Sequence, residues 1–94
     1  MYCKKHVFGT KIVIALCDKE LIGKKLTENN IIIDLDKFRY FYIGDDFKYL
    51  DERFDSINAI GKKSIDFLVK NKYLKDKKNV KKIEKIPHIQ IFKY

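Results

Sequence analysis

The side chains best suited to act as nucleophile or ligand are two cysteines and two histidines: Cys3, His6, Cys17 and His88. A cysteine attacks as its thiolate and needs an imidazole or a cation nearby to lower its pKa. Cys17-Asp18 closes an apolar run and His88 follows a proline, so this pair is the candidate for reactive chemistry. Nothing in the spacing forces Cys17 and His88 together, and a buried cysteine is ordinarily a small hydrophobe. The four residues also lack the paired spacing of a zinc site. The expectation is therefore a non-catalytic protein with no metal and no cofactor.

Gly61-Lys62-Lys63-Ser64 has the outline of the tail of a phosphate loop. A Walker loop needs a glycine five residues before Gly61, where Ser56 stands, and a strand leading into it. Here the glycine falls inside a helical period, so the nucleotide-triphosphatase reading is rejected. A glycine in mid-helix costs roughly 1 kcal/mol against alanine. Close approach of another backbone is the expected return, with Asn58 one turn earlier on the same side to bond whatever approaches.

The charge is uneven. The chain carries +8, and the window from Lys62 to Lys85 holds ten lysines against Asp66, Asp76 and Glu84, which leaves +7 there. A concentrated positive patch draws polyanions by releasing their counterions. Genome composition or a hot habitat offers a plainer source of lysine.

The elements that must position these groups follow from periodicity. Asp55 to Leu74 shows the clearest helical stripe, Ile57, Ile60, Ser64, Ile65, Leu68 and Val69, with Asp55 or Ser56 as cap. This predicts one main amphipathic helix over residues 55–74, covering a face of a thin sheet. Tyr2 to Phe8 and Lys11 to Cys17 read as a hairpin whose second strand is buried on both faces. A three-residue loop would set Cys3 opposite Cys17 and a two-residue loop would not, so the register stays open. Asp18 caps one helical turn that Gly23 stops. Thr27 to Asn30 is a loop, and Ile31 to Leu35 a strand. Phe38 to Ile43 is another strand, with Phe38, Tyr40 and Tyr42 sharing a side at a spacing that could stack bases. Gly44-Asp45-Asp46 breaks the pattern, and Phe47 to Phe54 fits a short helix. Val80 to Ile86 is edge-like, Pro87 marks an edge or bend, and Ile89 and Ile91 lie in a last strand. The fold class is α+β, in the order β-β-turn-β-β-α-α-β-β, mostly antiparallel, in a single domain over residues 1–94.

Apolar residues at 46 % and aromatics at 14 % suffice for a core without staples, while charged residues at 36 % exceed the ordinary quarter. No run approaches the roughly 18 apolar residues of a membrane span. Met1 leads straight into Tyr-Cys-Lys-Lys-His with no apolar signal core, and two cysteines are too few for a secreted disulfide framework. A cytoplasmic protein without membrane attachment is expected.

Ile-Ala-Leu-Cys17-Asp18-Lys-Glu20-Leu21-Ile-Gly23-Lys24, then Asn58-Ala-Ile-Gly61, then Asn79-Val80 and Pro87-His88-Ile-Gln90 resemble a family of small archaeal proteins, domain of unknown function 424. The likeness runs over nearly the whole chain and keeps the order of the motifs. Family members usually carry glycines before the Pro-His step, where this chain has Glu84-Lys85-Ile86. The resemblance implies an archaeal cytoplasm and a loose association with translation, but no reaction. It singles out Cys17, Asp18, Gly23, Lys24, Asn58, Gly61, Pro87, His88 and Gln90.

Three functions follow as expectations. The first is a non-catalytic module binding structured RNA or a ribonucleoprotein. Lys62, Lys63, Lys70, Lys72, Lys75, Lys77, Lys78, Lys81 and Lys82 would meet phosphates, and His88 and Gln90 a base or a 2′-hydroxyl. The second is a protein–protein adaptor or homodimer, pairing through the aromatic strand or the edge strand before Pro87. The third is a small enzyme centred on Cys17 or His88.

Overall fold

The computed structural model describes residues 1–46 and 54–92. It is α+β: mostly strands, in two sheets, with one main helix. The elements are β1 (Tyr2–Phe8), β2 (Lys11–Cys17), a 3-10 turn (Lys19–Leu21), β3 (Lys25–Glu28), β4 (Ile31–Asp34) and a short helix α1 (Arg39–Tyr42). There follow β5 (Asp45–Asp46), β6 (Ser56–Ile60), the main helix α2 (Lys62–Lys70), β7 (Lys81–Ile83) and β8 (Ile86–Phe92). The larger sheet runs β5-β1-β2-β6-β8-β7, and β3 pairs with β4 in a separate ribbon. Within these sheets β2 and β6 are parallel, and the other pairs are antiparallel.

The sheet buries both faces. One carries Ile14 and Leu16 of β2, Ile57 and Ala59 of β6 and Ile89 of β8 against Ile65 and Leu68 of α2. The other carries Ala15, Cys17, Ile60 and Ile83 against Leu21, Leu26, Leu35 and Tyr42 from the β3–β4 ribbon and its flanks. Fully burying a Leu or Ile is worth about 1.5–3 kcal/mol, and Ile65 and Leu68 are the buried apolar residues by which α2 packs on this face. β2 is buried from Ile14 to Cys17, as its apolar run at both parities requires.

Several expectations are corrected here. The helix predicted over residues 55–74 is α2 alone; Ser56 to Ile60 is the strand β6. Ile57 and Ile60 mimic a helical stripe, yet they lie on opposite faces of the sheet. Pairing with β2 on one side and β8 on the other overrides that short period. Gly61 therefore sits at a strand–helix junction, not in mid-helix, with φ 112°.

The aromatic strand predicted over Phe38 to Ile43 is instead the helical turn α1. Oδ1 of Asp34 accepts from the backbone N–H of Asp36 (3.0 Å) and Lys37 (2.9 Å), and its carbonyl accepts from Phe38 (3.1 Å). That Asx turn swings the chain round directly after β4. Thr27 and Glu28, expected in a loop, belong to β3. Asp45–Asp46, expected to break the pattern, instead pair with Cys3 and Tyr2. The helix expected over Phe47 to Phe54 lies outside the described residues except for Phe54. The β1–β2 loop is the two-residue Gly9-Thr10, so Cys3 faces Leu16 and Tyr2 faces Cys17. The two cysteines lie on opposite faces of the sheet and form no disulfide. β7 is an outer strand as expected, but Pro87 lies in β8, inside the sheet next to it.

Candidate functional site

Asp18 directly follows β2 and is only 3 % exposed. It does not cap the 3-10 turn that follows it, as the sequence suggested. Its carboxylate reaches across to the start of α2. Oδ2 accepts from the Lys63 N–H (3.0 Å), and Oδ1 accepts from the Ser64 N–H (2.8 Å) and the Ser64 hydroxyl (2.8 Å). The positive end of the helix thus receives its anion from within the chain. Gly61 is required for this: a Cβ there would overlap the Asp18 carboxylate. A strand does precede Gly61-Lys62-Lys63-Ser64, contrary to expectation, but the place of a phosphate is taken by Asp18.

The neighbouring Cys17 is fully buried, and its thiol is pushed up to about 12 by burial and by the Asp18 and Glu20 carboxylates. Along the sheet Cys17 pairs with Ile60, which pairs with His88, so a buried isoleucine separates the cysteine from the imidazole. Gly23 and Lys24 clasp the far end of the ribbon: the Gly23 N–H donates to Leu35 O (3.0 Å) and Leu35 N–H to Lys24 O (2.8 Å). His6 donates through Nε2 to Phe41 O (2.7 Å) and stacks on the Phe41 ring, while Lys4 Nζ donates to Tyr40 O (2.7 Å). Both anchor α1 to β1. Among the described residues no cluster of His, Cys, Asp and Glu has the make-up of a metal site.

The remaining motif residues meet in a cleft. Asn58 on β6 pairs with Gln90 on β8, Ile60 with His88, and His88 in turn with Lys81 on β7. The period of two puts Asn58, His88, Gln90, Phe92 and Lys81 on the ribbon side of the sheet. Together with Tyr42, Ile31, Ile33, Ile60 and Asn79 they line a cavity of about 550 Å³ under the β3–β4 ribbon. The Tyr42 hydroxyl donates to Oδ1 of Asn58 (3.2 Å), which leaves the amide NH₂ to donate. Burial pushes the Tyr42 phenol up to about 12, with Cys17 adding to it, so it stays a donor. His88 is held below the ordinary histidine value, first by burial and then by Lys81, so it is neutral at pH 7. The cleft offers amides, an imidazole, a phenol and one ammonium between apolar walls.

Across the β7 edge, on the α2 side, Lys62, Lys77, Lys82 and Lys85 line a groove of about 430 Å³ over Ile65, Val80 and Pro87. Asp66 shares it and pairs with Lys77 (3.4 Å). The predicted lysines are all exposed, but the structure gathers only some of them. Lys62, Lys77 and Lys82 share the groove, and Lys81 joins His88 and Gln90 in the cleft. Lys63 lies 3.8 Å from Glu20. Lys70, Lys72, Lys75 and Lys78 line neither depression. Sequence reasoning missed Phe92 and Lys85 as site residues. Of the three aromatics expected to stack bases, Phe38, Tyr40 and Tyr42, the cleft takes only Tyr42, which reaches it from the helical turn α1 and not from a strand.

The family profile DUF424, described as a protein of unknown function, matches residues 5–94. The chain belongs to the DUF424 family. None of the curated proteins matches it. A solved structure, that of an uncharacterized conserved protein from Methanopyrus kandleri, is similar to it with a TM-score of 0.78. The identity is 23 %, over 97 % of this chain and 89 % of that one. The likeness extends to the fold. Of the nine positions that the DUF424 resemblance singled out, Asp18 and Gly61 form the helix pin, and Cys17 precedes it, buried on the ribbon face of the sheet. Gly23 and Lys24 form the clasp, and Asn58, His88 and Gln90 face the cleft. Pro87 joins the two regions, its carbonyl accepting from the Gly61 N–H (2.8 Å). No helix among the described residues is long and apolar enough to cross a membrane.

Proposed function

We propose that this DUF424 protein is a non-catalytic RNA-binding module, acting on RNA or a ribonucleoprotein in the cytoplasm. One observation carries the reading: a cleft of base-edge hydrogen-bonding groups and a lysine groove lie on the two sides of one basic outer strand, β7. Lysines in a groove neutralise phosphates without regard to sequence. Amides and a neutral imidazole supply paired donors and acceptors, which suit bases and 2′-hydroxyls. The buried, protonated Cys17 and its separation from His88 give no support to nucleophilic chemistry.

The test is filter binding of RNA to the full chain across a salt series. With about five lysines on phosphates, affinity falls on the order of a hundredfold between roughly 50 and 200 mM salt. Absence of RNA retention at every salt concentration removes the proposal.

A further inference from the structure

We infer that the cleft seats one unpaired nucleotide of a single-stranded RNA, whose backbone continues over the β7 edge into the lysine groove. This rests on the RNA-binding reading and narrows it to a class of substrate and a path.

Three features of the structure lead to it. Lys81 and Lys82 are consecutive on the outer strand, so they point to opposite faces, one into the cleft and one into the groove. They link the two depressions by a continuous positive edge. Lys77 is paired with Asp66, so Lys62, Lys82 and Lys85 supply the groove's remaining charge. A chain that follows this edge must bend sharply around a three-residue strand, which a flexible single strand does and a stiff duplex does not.

The cleft itself asks for an unpaired base. Its polar groups, the Asn58 and Gln90 amides and the His88 imidazole, match the hydrogen-bonding edges of a base, which pairing occupies in a duplex. Ile31, Ile33, Ile60 and Phe92 provide apolar surface for the ring, and a cavity of about 550 Å³ is in the range of small-ligand sites. Lys81 at its lip is placed for the phosphate that follows.

The experiment measures binding of the full chain to a short fluorescent single-stranded RNA and to the same sequence as a duplex. The expected result is at least tenfold tighter binding of the single strand, the order of effect that one stacked and hydrogen-bonded base supplies. Gln90→Ala alters an exposed side chain, so the fold is retained, and it is expected to weaken the single strand about tenfold while leaving the duplex unchanged. Lys82→Ala is expected to weaken both. A 4-thiouridine-substituted strand is expected to crosslink to Tyr42, His88 or Phe92. Equal affinity for the two RNAs, or a Gln90→Ala protein that binds the single strand normally while Lys82→Ala does not, overturns the seat but leaves RNA binding standing. Failure to bind either RNA at low salt overturns both.

Discussion

Asp18 shows how one side chain can serve two elements. It leaves the end of β2 and closes the start of α2, so removing it unties a strand from a helix. Three acceptor contacts to a buried carboxylate are at stake. Asp18→Ala is expected to destabilise the fold by about 2–4 kcal/mol. Asp18→Asn keeps one acceptor and is expected to cost about half as much, both read as shifts in the urea midpoint at constant slope. An Asp18→Ala protein as stable as the parent would show that the pin is ornamental. His88 gives a pH signature. Its folded pKa lies below 6.5, so between the folded value and 6.5 the unfolded chain holds more protons than the folded one. Stability is therefore full above 6.5 and declines as pH falls through that window. The imidazole NMR midpoint is expected below 6.5, and Lys81→Met is expected to raise it only partway, since burial is the larger cause. A midpoint at or above 6.5 contradicts the half-buried placement.

At the level of elements, α2 ends in a Schellman arrangement: Tyr73 N–H donates to Leu68 O (2.9 Å) and Lys72 N–H to Val69 O (3.1 Å). The left-handed residue is Lys72, at φ 64°, where glycine usually stands. Lys72→Gly is expected to stabilise the protein by about 0.5–1 kcal/mol, the relief of left-handed strain less glycine's extra freedom when unfolded. Lys72→Ala is the control and brings no gain in thermal midpoint. Glu84 and Lys85, at φ 49° and 67°, likewise take left-handed backbone in the β7–β8 turn without a glycine. There the Glu84 carboxylate accepts from the Thr27 N–H (2.7 Å) and its N–H donates to Glu28 (3.2 Å), bracing the turn against the ribbon. What could be read from the chain depended on such neighbours. The first hairpin and the buried β2 were legible because their signals are local, and so was the apolar face Ser64, Ile65 and Leu68 of α2. Ser56 to Ile60 was not, because steps of three and four among isoleucines fit a helix as well as a strand flanked on both sides. The aromatic stretch misled because Asp34 turns the chain, an effect of one carboxylate that no alternation reveals. The cleft residues Asn58, His88 and Gln90 were noticed one by one, whereas their meeting depends on register across β6 and β8.

For the molecule as a whole, the lysine-rich window does not make one uniform flank. It is divided by the sheet, with Lys81 on one side of β7 and Lys82 on the other. The topology also separates what sequence places close and joins what it places far. The parallel pair β2 and β6 requires a crossover through residues 18–55, and that crossover contains the ribbon, α1 and β5. Contacts of this kind are slow to form, because a long loop must close before any of them is rewarded. On a growing chain, the first hairpin leaves the ribosome with one rim of β2 unsatisfied, and the segment that seals it is translated much later. Until Ile60 and then Ser64 emerge, that rim is open to wrong partners, and the latch at Asp18 has nothing to fasten.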